Sequence, residues 1–130
     1  MPSLEPVRSA SAPGAIGPYS QAIRCGDTVF CSGQIPLDAE TGELRNENIE
    51  VATRQCLRNL QAVLAAAGCS ASNIVKTTVF LTDLKEFPRM NAAYAAFFGT
   101  HRPARAAVQV AALPAGARVE IDCIAVRTQS

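Results

Sequence analysis

Arg105 opens a run of small apolar residues, Ala104 to Leu113 (ARAAVQVAAL), and a guanidinium in that setting is suited to an anion. It grips a carboxylate through two parallel N–H bonds, and the small neighbours Ala106 and Ala107 leave room for a ligand. Glu120 stands between Val119 and Ile121, so strand alternation sends its carboxyl to the opposite face. There it is a candidate general acid and base for orienting water. Tyr19, directly after Gly17-Pro18, offers a ring and a hydroxyl. Ser32-Gly33 offers a hydroxyl and a backbone N–H, and Asn91 an amide. Each also has a plainer reading: a solvated strand-end arginine, a rim carboxylate on an ordinary strand, a packing aromatic, a strand end, a helix surface.

Other chemistries lack their parts. His101 is the only histidine, so a His-rich metal site cannot be built. A Ser-His-Asp triad would need that same residue, and no nucleophile-elbow motif accompanies it. No Walker loop and no G-x-G-x-x-G occurs, which argues against a nucleotide cofactor. No metal and no cofactor is expected. Net charge is +1 and the basic residues are scattered, which argues against a nucleic-acid partner. Five cysteines, an odd number without a C-x-x-C, point to free thiols in a reducing compartment. The expected address is cytoplasmic, or mitochondrial if a presequence has been removed. No segment is long and apolar enough for a membrane span, and residues 1–17 do not read as a secretory signal.

The elements that must position these residues follow from pattern. The chain has 130 residues, 48% hydrophobic and 18% charged, which suits a single domain over 1–130. Residues 1–17, rich in Pro, Ser, Ala and Gly, read as an extended arm. Strands are predicted over Tyr19–Arg24 and Thr28–Gln34, with Gly33 as a bulge or a close backbone approach. Asn48 reads as the N-cap of an amphipathic helix over 49–67, whose apolar stripe is Ile49, Ala52, Cys56, Leu60, Val63, Leu64 and Ala67. Gly68 takes the C-terminal left-handed position. Asn73–Thr82 is a β-branched strand with Val75, Thr77, Val79 and Leu81 on one face. Pro88 fits the first turn of a second helix ending near Gly99. Strands over Arg105–Ala111 and Arg118–Arg127 complete the order β-β-α-β-α-β-β. Two helices cover only one face of such a sheet. The other carries Phe80, Ile124 and Val126, so a second copy of the chain is expected against it.

Taken together, Ala15–Gln21 (AIGPYSQ), Cys31–Pro36 (CSGQIP), Ile74–Phe80 (IVKTTVF), Met90–Tyr94 (MNAAY), Pro103–Ala107 (PARAA), Gln109–Pro114 (QVAALP) and Val119–Ala125 (VEIDCIA) resemble the RidA/YjgF family. The likeness runs in order from about residue 8 to residue 127. It implies a chorismate-mutase-like α+β fold, one mixed sheet with two helices on one face, in a homotrimer with clefts between subunits. It also implies that the final strand inserts between earlier ones, whereas spacing alone suggests a terminal hairpin.

The activity implied is cofactor-free hydrolysis of 2-aminoacrylate and 2-iminobutanoate to 2-keto acids and ammonia. In that likeness Arg105 holds the substrate carboxylate and Glu120 positions water. Tyr19, Ser32, Gly33 and Asn91 line the cleft, with Arg105 from one subunit and Tyr19, Ser32 and Glu120 from its neighbour. Two features depart from the bacterial type. Ala107 stands where many members carry a reactive Cys, as in eukaryotic-type members, and the loop between Phe98 and Pro103 is shorter than in some bacterial members. The rival readings are a small-carboxylate sensor without turnover, an RNA-directed regulator (translation inhibitor or endoribonuclease) and a holdase chaperone.

Overall fold

A computed structural model describes residues 3–128. One six-stranded sheet has the order β1-β2-β3-β6-β4-β5, formed by β1 (Leu4–Val7), β2 (Ala22–Cys25), β3 (Thr28–Gln34), β4 (Ile74–Leu81), β5 (Ala104–Gln109) and β6 (Val119–Val126). Only β4 and β5 run parallel; every other pair is antiparallel. The last strand lies between β3 and β4, so the residues from 110 to 118 form a crossover and not a hairpin. Ala115 takes a left-handed conformation in it (φ 59°) and Gly116 follows (φ 73°).

The arm is more ordered than its composition suggests. Leu4–Val7 is a strand paired with β2, so the order is β-β-β-α-β-α-β-β. Residues 1–2 of the predicted arm lie outside the described residues. Beyond β1 the arm is irregular and held by buried Gln21, whose Oε1 accepts from the Ser9 N–H at 2.6 Å. The Gln21 Nε2 donates to the Ser9 and Pro13 carbonyls at 3.2 and 2.8 Å. That inward turn starts β2 at Ala22, three residues later than predicted.

Helix α1 (Ile49–Ala66) starts and stops where its sequence directs. The Asn48 side chain accepts from Val51 N–H at 2.8 Å. Gly68 (φ 80°) closes a Schellman turn, with Cys69 N–H on Leu64 O at 2.8 Å and Gly68 N–H on Ala65 O at 3.1 Å. The whole predicted stripe is buried, and Leu57, Leu60 and Leu64 are sealed completely, each worth about 2 kcal/mol by area. Helix α2 (Phe87–Phe98) has Pro88 in its first turn and Gly99 beyond its end. Both helices pack on the same face of the sheet, over Val29, Val79, Val119, Ile121 and Cys123. No helix of the described residues is long and apolar enough to cross a membrane.

One parity differs from expectation. The register of β4 against β6 shifts between Ile74 and Lys76, which leaves Val75 as an extra residue. Ile74 therefore takes the core side, and Val75, predicted to face it, is 46% exposed. Among the described residues nothing covers the opposite face. Phe30 is 48% and Val108 43% exposed there, beside half-buried Phe80, Ile124 and Val126.

Candidate functional site

Strand β5 is an edge, and its register sets Arg105 opposite Thr77 and Ala107 opposite Val79. Thr77 and Val79 are buried beneath the helices, so Arg105 and Ala107 project to the helix side. The alanines around Arg105 give it no steric cover, and α2 supplies its surroundings instead. Arg105 Nη1 donates to Asn91 Oδ1 at 2.8 Å. The guanidinium carbon lies 4.9 Å from the Tyr94 ring centre and 5.3 Å from that of Phe87, within the range of cation–π attraction. Arg105 makes no ion pair among the described residues. An open cleft of about 420 Å³ adjoins it, lined by Asn91, Tyr94, Ala95, Arg102, Pro103 and Arg105. Ala107 borders a second, apolar hollow of about 490 Å³ with Leu84, Phe87 and Pro88. This half of the site is a fixed cation with unused donors.

Glu120 stands on the opposite face, paired with Phe80 of β4 between core-facing Val119 and Ile121. The register of β3 against β6 shifts between Cys31 and Gln34, which makes Gly33 part of a bulge. The Glu120 side chain lies directly across it. A Cβ at position 33 would sit 2.9 Å from Glu120 Cδ and in hard contact with Oε2. Both sequence readings of Gly33, bulge and close approach, are met there. The Glu120 carboxyl has no hydrogen-bond partner among the described residues. Burial, and secondarily the Asp122 charge on the same face, push it above the ordinary carboxyl range.

Ser32 donates its hydroxyl to the Ser20 carbonyl at 2.6 Å, and its N–H goes to Gln21 O at 3.0 Å. What Ser32 retains for a ligand is hydroxyl lone pairs. Tyr19 is half exposed; its hydroxyl accepts from Ile16 N–H at 3.3 Å. Tyr19 and Gly33 share a small pocket of about 40 Å³ with Ile16 and Ile35. His101 is occupied elsewhere, its Nε2 2.7 Å from the Ile74 carbonyl.

Two half-sites result. Arg105, Asn91 and Ala107 gather on the helix side of β5. Tyr19, Ser32, Gly33 and Glu120 gather at the end of β3 and β6, on the face that no helix covers. Within one chain the sheet separates them, so a ligand bound to Arg105 cannot reach Glu120 of the same copy. Sequence reasoning missed Phe87, Tyr94 and Arg102 around the cation. The one sequence signal for Tyr94 is its spacing of three from Asn91, which puts both on one side of that helix. It also missed Asn59, buried in α1, whose Nδ2 donates to the Ile35 and Leu37 carbonyls at 3.1 and 2.9 Å and so fixes the wall beyond Gly33.

Comparison with known proteins places the chain in a family. The family model described as Endoribonuclease L-PSP matches residues 9–127. The chain is 53% identical over 121 residues to the RutC family protein y4sK of Sinorhizobium fredii, covering 93% of this chain and 96% of that one. It is 46% identical over 121 residues to the human 2-iminobutanoate/2-iminopropanoate deaminase, covering 93% of this chain and 88% of that protein. Among solved structures, the YjgF gene product of E. coli superposes with a TM-score of 0.92 at 44% identity, over 95% of this chain and 99% of that chain.

Proposed function

The chain belongs to the RidA/YjgF family, that of the Endoribonuclease L-PSP model, and we propose that it is an imine deaminase, hydrolysing 2-imino acids and their enamine tautomers to 2-keto acids and ammonia. The observation that carries this is Arg105: a guanidinium steadied by Asn91, Tyr94 and Phe87, with no carboxylate partner among the described residues, at the mouth of an open cleft. The substrate's carboxylate supplies the missing anion through paired N–H bonds.

The rest of the reaction asks little of the protein. An imine is already electrophilic, so fixing its carboxylate and one water in line supplies most of what is needed. With the imine nitrogen protonated, Glu120 takes a proton from that water as its oxygen adds to the iminium carbon, and passes it to nitrogen. As the C–N bond breaks and ammonia leaves, the hydroxyl gives its own proton to Glu120 and becomes the keto oxygen; Glu120 then releases that proton to ammonia or solvent. The raised affinity of Glu120 for a proton, a consequence of burial and Asp122, suits this exchange. Tyr19, Ser32 and Gly33 shape the wall around the water. No metal or organic cofactor takes part.

The two halves sit on opposite faces of one sheet, so we place the working cleft between copies, Arg105 from one subunit and Tyr19, Ser32, Gly33 and Glu120 from the next. The uncovered face with Phe30 and Val108, and the open edge of β5, supply the surface for that contact. A closed ring of three satisfies it with every edge used alike.

The test is a coupled assay. An amino acid oxidase generates imino acids in place, and semicarbazide traps what survives. Wild type should accelerate imine loss, and Arg105→Ala, shown by light scattering to keep the same assembly, should not. A well-folded assembly that leaves imine loss unchanged across several amino acids would overturn the enzymatic reading. Glu120→Ala then separates catalysis from mere binding, since it should retain 2-keto acid affinity while losing turnover.

A further inference from the structure

Beneath Arg105 lies a buried pair of hydroxyls that no step above uses. Thr77 is fully buried in β4, and its Oγ1 lies 2.7 Å from the Tyr94 hydroxyl. A tyrosine that packs its ring in a core must still satisfy its hydroxyl, and an orphaned one is costly. Here the partner is the residue in β4 that registers with Arg105 in β5. The contacts therefore close on themselves. The Arg105 backbone is paired to Thr77, Thr77 holds the Tyr94 hydroxyl, and the Tyr94 ring lies 4.9 Å under the Arg105 guanidinium. The Phe98 ring also packs against it, its centre 4.8 Å away and tilted at 52°.

Arginine on an exposed edge strand is ordinarily a mobile side chain, and ordering it on binding costs affinity. A ring moored at its far end removes much of that cost in advance. We propose that Tyr94, moored by Thr77, is a positioning residue that holds the Arg105 guanidinium ready for the substrate carboxylate. The proposal rests on the deaminase reading. Tyr94 touches no reacting atom; it acts through Arg105. Because Arg105 grips the carboxylate equally before and during the reaction, loss of the mooring weakens binding and leaves the chemical step alone.

The experiment measures KM, kcat, the Kd for 2-oxobutanoate by calorimetry, and Tm, for wild type, Tyr94→Leu, Tyr94→Phe, Thr77→Val and the double variant Tyr94→Phe/Thr77→Val. Tyr94→Leu, which deletes the ring, should raise both KM and Kd about fivefold, with kcat within about twofold of wild type. Tyr94→Phe and Thr77→Val keep the ring and cut its mooring. Each should raise Kd roughly two- to threefold, and the double variant no more than either, because both report one bond. A role in packing alone would lower Tm and leave Kd unmoved. A folded Tyr94→Leu with wild-type Kd and KM overturns the proposal. Where Tyr94→Leu does not fold, wild-type Kd values in the other three variants overturn it equally. Wild-type protein that neither hastens imine loss nor binds 2-oxobutanoate removes the deaminase reading and this inference with it. Wild-type turnover with unmoved Kd in the variants removes this inference alone.

Discussion

Replacing Gly33 with alanine should switch off turnover without touching Arg105. The backbone at Gly33 is not left-handed, so alanine suits its conformation. What alanine cannot avoid is Glu120: its Cβ would lie 2.9 Å from Cδ and closer still to Oε2, where ordinary contacts run 3.4–4 Å. The carboxyl must retreat, by roughly 1 Å at its oxygens, and a displacement of that size costs on the order of 100-fold in rate. Glu120 is only partly buried and its carboxyl has no hydrogen bond to break among the described residues, so it moves at little cost to stability, and Tm should stay within about 3 °C of wild type. The assay is kcat from semicarbazide-trapped imine, alongside calorimetric Kd for 2-oxobutanoate. The expected result is kcat down about 100-fold with Kd within about twofold. In a Glu120→Ala background the same change should add almost nothing, since both act on one carboxyl. A Gly33→Ala protein with native assembly and kcat within about threefold of wild type would refute the assignment of the water-orienting role to Glu120.

Further outcomes follow from Asn59 and from Glu120. Asn59→Ala removes the donors to the Ile35 and Leu37 carbonyls and the partner of Gln55. It should cost about 2–3 kcal/mol and lower Tm by roughly 5–10 °C in calorimetry, and an unchanged Tm would contradict the clamp. The Glu120 carboxyl is raised by burial and by Asp122, so its charge weighs against the folded state at neutral pH and ceases to do so once both states are protonated. Stability associated with this group is thus present below the ordinary carboxyl pKa and lost as pH rises through the raised one. Glu120→Gln should accordingly melt higher than wild type near neutrality, with the gap closing toward about pH 4. Wild-type kcat should fall as pH drops through the raised value. A Tm difference independent of pH would exclude this origin.

The helices and most strands were legible because local signals there agreed with tertiary packing. Asn48, Glu50, the apolar stripe and Gly68 each specify α1 independently, and β3 runs over the predicted Thr28–Gln34. The misses share a cause. Strand β1 lies in a segment whose Pro, Ser and Ala content suggests no strand; its pairing comes from β2, far along the chain. Val75 changes face because a bulge in one strand is defined only against its partner. The place of β6 was supplied by the family likeness and not by spacing, since strand order is a matter of long-range pairing.

The candidate site was legible in its residue types and not in its arrangement. Arg105 and Glu120 stand out in sequence because each breaks an apolar strand, and alternation within each strand gives each a face. It cannot say that the two faces are opposite, because that depends on how β5 registers with β4 and β4 with β6. Beyond its spacing from Asn91 no pattern marks Tyr94, whose proposed role comes from the register that puts Thr77 beside Arg105. Once the register is known, the consequence is severe. Arg105 with its aromatic cradle and Glu120 across Gly33 are each placed within one copy. On the proposed reading the reaction needs both, so each chain carries two preformed halves that a neighbouring copy would join. That proposal makes the uncovered apolar face part of the chemistry: the same Phe30 and Val108 that leave a lone sheet unsatisfied would bring one copy's carboxylate to another copy's guanidinium.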